Sequence, residues 1–265
     1  DTYRGTREDV PRLLALLRER ALHATFLFSL GPDHTGRALK RVFRPGFLQK
    51  VARTSVASNY GLKTLMYGVL LPGPHIARKC IDVLRATRDA GHETGIHCWD
   101  HVYWQDYVAT RDAAWTRRQF ELAVGAYRAA FGTDPRTHGA AGWQENAHLY
   151  ALEDEFGFDY ASDGRGRGPF IPVVNGREFR CPQLPTTLPT LDELIGVDGA
   201  TPDDAIDALL ERTPAGGGDH VFTLHAELEG RAYAPQFARL LDAWRERGHR
   251  LVPTAAGTLA PVVAS

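Results

Sequence analysis

Apolar positions along the chain alternate between a helical and a strand pattern. Val10, Leu13, Leu14 and Leu17 recur at i, i+3, i+4 and i+7, one face of a helix, and Thr6 with Asp9 three residues on reads as its N-cap. Ala24–Leu30 is an apolar run of strand length. A long irregular stretch extends to Pro74. Beyond it the pattern predicts a helix around 75–90 stopped by Gly91, a strand at 92–97 and a helix around 111–131 stopped by Gly132. A strand near 136–140, a helix near 145–156 ended by Gly157, and a strand Phe158–Ser162 repeat the unit. A Gly- and Pro-rich loop follows, and Thr201-Pro202 opens the next helix as N-cap and first-turn proline. The last elements are a strand at 221–226, a helix at 235–247 with Phe237, Leu240, Leu241 and Trp244 on one face, and a strand at 250–253.

Such alternation implies parallel strands covered by helices, an α/β fold. Six strands follow Asp1, and the first visible element is a helix. A seventh strand just upstream would complete the first βα unit and leave Asp1 at its carboxyl end. With 43% hydrophobic and 24% charged residues, the 265-residue chain is globular and forms one domain, 1–265. Cys80, Cys98 and Cys181 form no CxxC and cannot all pair, which fits a reducing compartment.

The formal charge of −1 argues against a nucleic-acid binder, yet it hides a segregation. From His34 to Ile81 there is no acid and nine bases: Arg37, Lys40, Arg41, Arg44, Lys50, Arg53, Lys63, Arg78 and Lys79. The rest of the chain is acidic. Leu39, Val42 and Phe43, then Phe47, Leu48 and Val51, then Leu62, Leu65, Met66, Val69 and Leu70 form short apolar faces in this segment. An amphipathic insertion at about 34–74 with Lys40, Arg41, Arg44, Lys50, Arg53 and Lys63 suits an anionic membrane surface or a lipid phosphate. The alternative is an insertion packed on the barrel with a solvated basic face.

Chemistry in parallel α/β folds gathers at the carboxyl ends of the strands. Asp1, the run His97-Cys98-Trp99-Asp100-His101, Gly139–Trp143, Asp163, and His225-Ala226-Glu227 all lie just after an expected strand. His97 and His101 are four apart, a spacing that suits two imidazoles on one ion and equally two surface or capping histidines. Asp1 is the carboxylate that could complete a His₂-carboxylate set. His225 is placed as a general acid or as a hydrogen-bonded core histidine. Asp163 could tune His225 or cap a turn, and Trp143 could stack on a sugar or serve packing.

The blocks Asp1–Thr6, His97–His101, Ala140–Trp143, Ser162-Asp163, Leu184–Thr190 and His225–Gly230 together resemble the polysaccharide deacetylase (NodB-homology) family. The resemblance is nearest to its branch acting on undecaprenyl-phosphate-linked 4-formamido-4-deoxy-L-arabinose. It implies a deformed (β/α)7 barrel whose first strand is expected before Asp1, and a metal-dependent amide hydrolase that removes an N-formyl group. Asp1, His97 and His101 would then hold a divalent metal, Zn²⁺ first, with Mn²⁺, Co²⁺ or Ni²⁺ as alternatives. His225 would be the general acid, and the general base an aspartate two residues before Asp1. Arg4, Trp143, Asp163 and Glu227 would bind or tune substrate. The arginine motif usual after the fourth strand is replaced by His138-Gly139-Ala140-Ala141-Gly142, and Gln144 stands where arginine is expected. The implied setting is lipid A modification and polymyxin resistance at the cytoplasmic face of the bacterial inner membrane. Partners would be the lipid-linked sugar and the membrane surface, without nucleic acid. The competing expectations are a polysaccharide or peptidoglycan N-deacetylase and a non-catalytic lipid- or sugar-binding relative.

Overall fold

A computed structural model describes residues 1–38, 63–256 and 263–264. Its central sheet has four parallel strands, β1 (Thr25–Ser29), β2 (Glu93–Cys98), β3 (Thr137–His138) and β4 (Tyr160–Ala161), in the order β1-β2-β3-β4. Each new strand is added beside the previous one on the same side, the winding of a barrel rather than of a sheet that reverses at a switch point. The expected α/β class and these four strands are present.

Helix α1 (Val10–Glu19) precedes β1, and its Val10, Leu13 and Leu17 are buried as the spacing predicts. The expected Thr6 cap is absent, because a π-turn at Gly5–Asp9 joins α1 from upstream. Thr2 provides the cap instead, its hydroxyl accepting the Gly5 N–H at 2.9 Å, while the Thr6 hydroxyl donates to the Thr2 carbonyl at 2.8 Å. The helix expected over 75–90 is two, α2 (Ile76–Lys79) and α3 (Ile81–Asp89), broken at Cys80. Then come α4 (His101–Tyr107), α5 (Ala113–Phe131) ending at Gly132 and α6 (Ala147–Phe156) ending at Gly157, both glycines in the left-handed conformation their positions call for. After β4 lie α7 (Leu191–Leu194), α8 (Pro202–Arg212) with the expected Thr201 cap, and α9 (Ala234–Glu246). One hydrophobic core runs through the layers, from Leu13 and Phe28 through Ile96, Trp104 and Phe120 to Leu209 and Phe237.

The strands expected at 221–226 and 250–253 carry no ladder. Val221 accepts the N–H groups of both Thr187 and Leu188, and its own N–H goes to the Thr187 hydroxyl. Thr186 and Thr223 meet through their hydroxyls at 2.6 Å. Backbone and side-chain bonds thus meet at Val221 in place of the evenly spaced backbone bonds of a parallel ladder. The 250–253 segment ends in Pro253, which has no N–H to give, and beyond it Thr254 donates to the Thr25 hydroxyl at 2.9 Å. Of the basic segment, residues 39–62 lie outside the described residues, so the insertion's amphipathic faces there, with Lys40, Arg41, Arg44, Lys50 and Arg53, are not placed. The described part, around the 3₁₀ turn Thr64–Met66, exposes Lys63, Val69 and Leu70.

Candidate metal centre and active site

His97 sits on β2 and His101 opens α4, so one strand–helix junction brings both imidazoles forward. Their ring centroids are 5.2 Å apart. Asp1 lies between them, with Oδ1 3.3 Å from His97 Nε2 and Oδ2 3.3 Å from His101 Nε2. The three side chains are 17 to 22% exposed, so a small ion and a substrate can reach them. The orientation is fixed from behind. His97 Nδ1–H donates to the Gly139 carbonyl at 2.7 Å, which leaves the Nε2 lone pair facing Asp1. Burial, and after it the neighbouring His101, holds the His97 imidazole well below its usual range, so it is neutral near pH 7. Two imidazole nitrogens and a carboxylate converging on one point form a set suited to a divalent cation with open positions left for water and substrate.

The Asp1 segment is anchored twice. Glu227 Oε1 accepts the Thr2 N–H at 3.0 Å and the Thr2 hydroxyl at 2.9 Å, and buried Asp33 Oδ2 accepts the Tyr3 N–H at 2.8 Å. Glu227, expected to bind or tune substrate, is thus buried and holds the backbone beside Asp1. It also brings His225, two residues away, to the same end of the fold. His225 closes no strand. Its carbonyl accepts the N–H groups of Leu228 and Glu229, and the Glu229 carboxylate accepts the His225 N–H at 2.9 Å, a reciprocal cap on the turn that follows. The His225 ring is 26% exposed, with Nδ1 3.7 Å from Asp192 Oδ1 on α7. Burial lifts the Glu229 carboxyl to about 7.

Of the two expectations for Asp163, the structure shows the capping one, with His138 as its charged partner. Asp163 is buried, 2.6 Å from His138 Nδ1, and accepts the Ala140 N–H at 2.8 Å. Glu153 approaches the same nitrogen at 3.1 Å, and Gln183 donates to Glu153 at 3.0 Å and to Asp163 at 3.2 Å. Burial and then the Asp163 charge raise the Glu153 carboxyl well above its usual range. Burial works to raise Asp163 too, but the His138 charge and hydrogen bonds outweigh it and leave Asp163 lowered. Of the two carboxyls, Glu153 is thus the one pushed up and Asp163 the one held down beside His138. This cluster locks β3, β4 and α6 together, and removing one partner from such a buried pair typically costs about 3–5 kcal/mol.

Trp143 adopts a left-handed backbone conformation at φ 53°. Its indole donates to the Thr186 hydroxyl at 3.0 Å, and the Arg165 guanidinium lies 4.3 Å from the ring centroid. A bulky residue held in that conformation by two partners marks a position under constraint. Arg4 Nε bonds Glu8 at 3.2 Å on its own helical turn. The sequence reading missed Asp33, Asp192 and Glu229; the signal for Glu229 was its four-residue spacing from His225.

Residues 1–161 match the family described as Polysaccharide deacetylase. A protein of Shewanella sediminis (strain HAW-EB3), named "Probable 4-deoxy-4-formamido-L-arabinose-phosphoundecaprenol deformylase ArnD", is 37% identical over 253 residues, which is 96% of this chain and 81% of that protein. A protein of the same name from Wigglesworthia glossinidia brevipalpis is 32% identical over 240 residues, 90% of this chain and 83% of that one. The structure of the chitin deacetylase from the fungal pathogen Colletotrichum lindemuthianum superimposes with a TM-score of 0.57 at 15% identity, covering 96% of this chain and 83% of that one. That likeness is one of fold.

Proposed function

This chain belongs to the polysaccharide deacetylase family, and within it we propose an amide hydrolase that removes the N-formyl group from undecaprenyl-phosphate-linked 4-formamido-4-deoxy-L-arabinose. The observation that carries the proposal is the convergence of Asp1, His97 and His101 in a chain matching the named deformylase over 96% of its length. Asp1, His97 and His101 hold a divalent cation, Zn²⁺ first, with Mn²⁺, Co²⁺ or Ni²⁺ as alternatives. When bound, it polarises the formyl carbonyl and makes water a stronger acid.

The chain's own groups do the rest. The Gly139 carbonyl and the Glu227 anchor keep both ends of the donor set in place, so little reorganisation is needed on reaction. His225, its backbone held by Glu229 and its ring near Asp192, protonates the departing 4-amino group. Trp143 presents the ring face opposite Arg165 to the sugar.

The test is product release from the full-length, metal-loaded protein. Formamido-arabinosyl polyprenyl phosphate should give formate, and N-acetylglucosamine oligomers no acetate. Acetate from the oligomers without formate would favour a polysaccharide deacetylase. Metal binding with neither product would favour a non-catalytic relative.

The lipid-linked substrate requires a membrane surface, and we place the chain peripherally on the cytoplasmic face of the inner membrane, in lipid A modification and polymyxin resistance. No helix among the described residues is long and apolar enough to cross a membrane. Exposed Lys63, with Val69 and Leu70 56% and 74% exposed, offers basic and apolar groups for docking. Replacing Lys40, Arg41 and Arg44 by Glu should weaken binding to phosphatidylglycerol vesicles at least about a hundredfold, from about 1 kcal/mol per basic residue. Undiminished binding would remove the membrane-facing role of this segment.

A further inference from the structure

Asp33 and His34, at the root of the 34–74 segment, reach both of the segments that carry the ligand set. Beyond β1 the chain stays on β2, with the Leu30 N–H donating to Cys98 at 3.0 Å and the Gly31 N–H to Trp99 at 2.7 Å. A side chain at Gly31 would meet the Trp99 carbonyl at 2.4 Å, so the two backbones are as close as glycine permits. Two adjacent residues then diverge. Asp33 accepts the Tyr3 N–H with Oδ2, and with Oδ1 the N–H and hydroxyl of Thr35 at 2.9 and 2.6 Å. His34 turns the other way and places Nδ1 2.6 Å from Asp100 Oδ2.

Asp100 uses its second oxygen to cap α4, accepting the Tyr103 N–H at 3.1 Å. His101 is the first residue of that helix. The carboxylate that sets the first turn of α4 is therefore itself set by His34. The imidazole is held from the returning limb of the same segment, where a Cβ on Gly68 or Gly73 would lie 2.8 or 3.0 Å from His34 Cδ2. The Asp33 N–H closes the two limbs by donating to the Pro74 carbonyl at 3.0 Å.

We propose that His34 is a positioning residue of the metal centre, holding His101 in register with His97 and Asp1 through the Asp100 cap. Together with Asp33 it makes the root of the basic segment a bracket spanning both ligand-bearing stretches. This rests on Asp1, His97 and His101 being the ligands. Its contribution is to metal affinity and ligand geometry, because its Nδ1 bond goes to Asp100, the cap behind His101. Groups that act behind metal ligands in this way typically change affinity 10- to 100-fold.

Two variants separate the hydrogen bond from the packing. His34→Phe keeps a ring between Gly68 and Gly73 and loses the bond to Asp100. His34→Asn keeps a donor near the place of Nδ1 and loses most of the ring. Co²⁺ titration of the full chain, followed by its visible absorption bands, reports affinity and ligand geometry without turnover. The proposal expects His34→Phe to weaken Co²⁺ binding about 10- to 100-fold with altered bands, and His34→Asn to restore both to near the parent. Parent-like Co²⁺ binding in His34→Phe, or equal weakening in both variants, would overturn it. If the parent itself fails to bind Co²⁺, the ligand assignment falls and this inference with it.

Discussion

His101→Ala is expected to empty the metal centre and lower formate release by at least about 10³-fold. The loss has two sources. One of three converging donors disappears, leaving Asp1 and His97 as a pair that cannot enclose an ion. The polarising cation, which contributes several kcal/mol of transition-state stabilisation, then leaves with it. A thousandfold corresponds to about 4 kcal/mol. The fold should survive, because the α4 cap is made by Asp100 and the His101 side chain is 22% exposed. Metal content by elemental analysis should fall from one ion per chain to a trace. A full complement of metal in the folded variant would remove His101 from the ligand set.

His225→Gln is expected to act on the rate alone. General acid catalysis contributes about 10²–10⁴-fold, and a glutamine amide cannot deliver a proton to the departing amine. Formate release should fall within that range while metal content stays at the parent value. The separation follows from the structure: His225 is held through its own N–H by Glu229, with its ring 3.7 Å from Asp192, whereas the set is formed by Asp1, His97 and His101. A variant with undiminished turnover would leave the leaving-group proton to another donor, while loss of metal together with rate would make His225 part of the centre's scaffold.

The elements were legible in the sequence where local rules decide them. Apolar runs marked β1 and β2, and Gly132 and Gly157 stopped α5 and α6 where the pattern predicted. The Thr201 cap was legible for the same reason. The segment 221–226 has the apolar pattern of a strand, but it meets its neighbour through backbone bonds at Val221 and through the Thr187 and Thr186 hydroxyls, which no periodicity registers. The site was legible in part. Strand ends pointed to Asp1, His97, His101 and His225, and the fold brings the first three within 3.3 Å contacts.

What escaped was the support behind them. Asp33 is 30 residues from Tyr3 in sequence, and His34 is 66 from Asp100, separations that carry no local signal. Asp163 was open between tuning His225 and capping a turn, and its position after a strand could not decide; the packed structure gives it the Ala140 N–H, His138 and Gln183 as partners. The whole-chain charge misleads in the same way, since a sum of −1 conceals an acid-free segment rooted beside the ligand set.

The most direct test of the metal centre is anomalous diffraction from crystals of the Zn²⁺-loaded protein, recorded at the zinc edge. The account predicts one dominant peak at about 2.0–2.2 Å from an Asp1 carboxylate oxygen, His97 Nε2 and His101 Nε2. A dominant peak elsewhere, such as among His138, Glu153 and Asp163, with nothing between Asp1 and the two histidines, would contradict it.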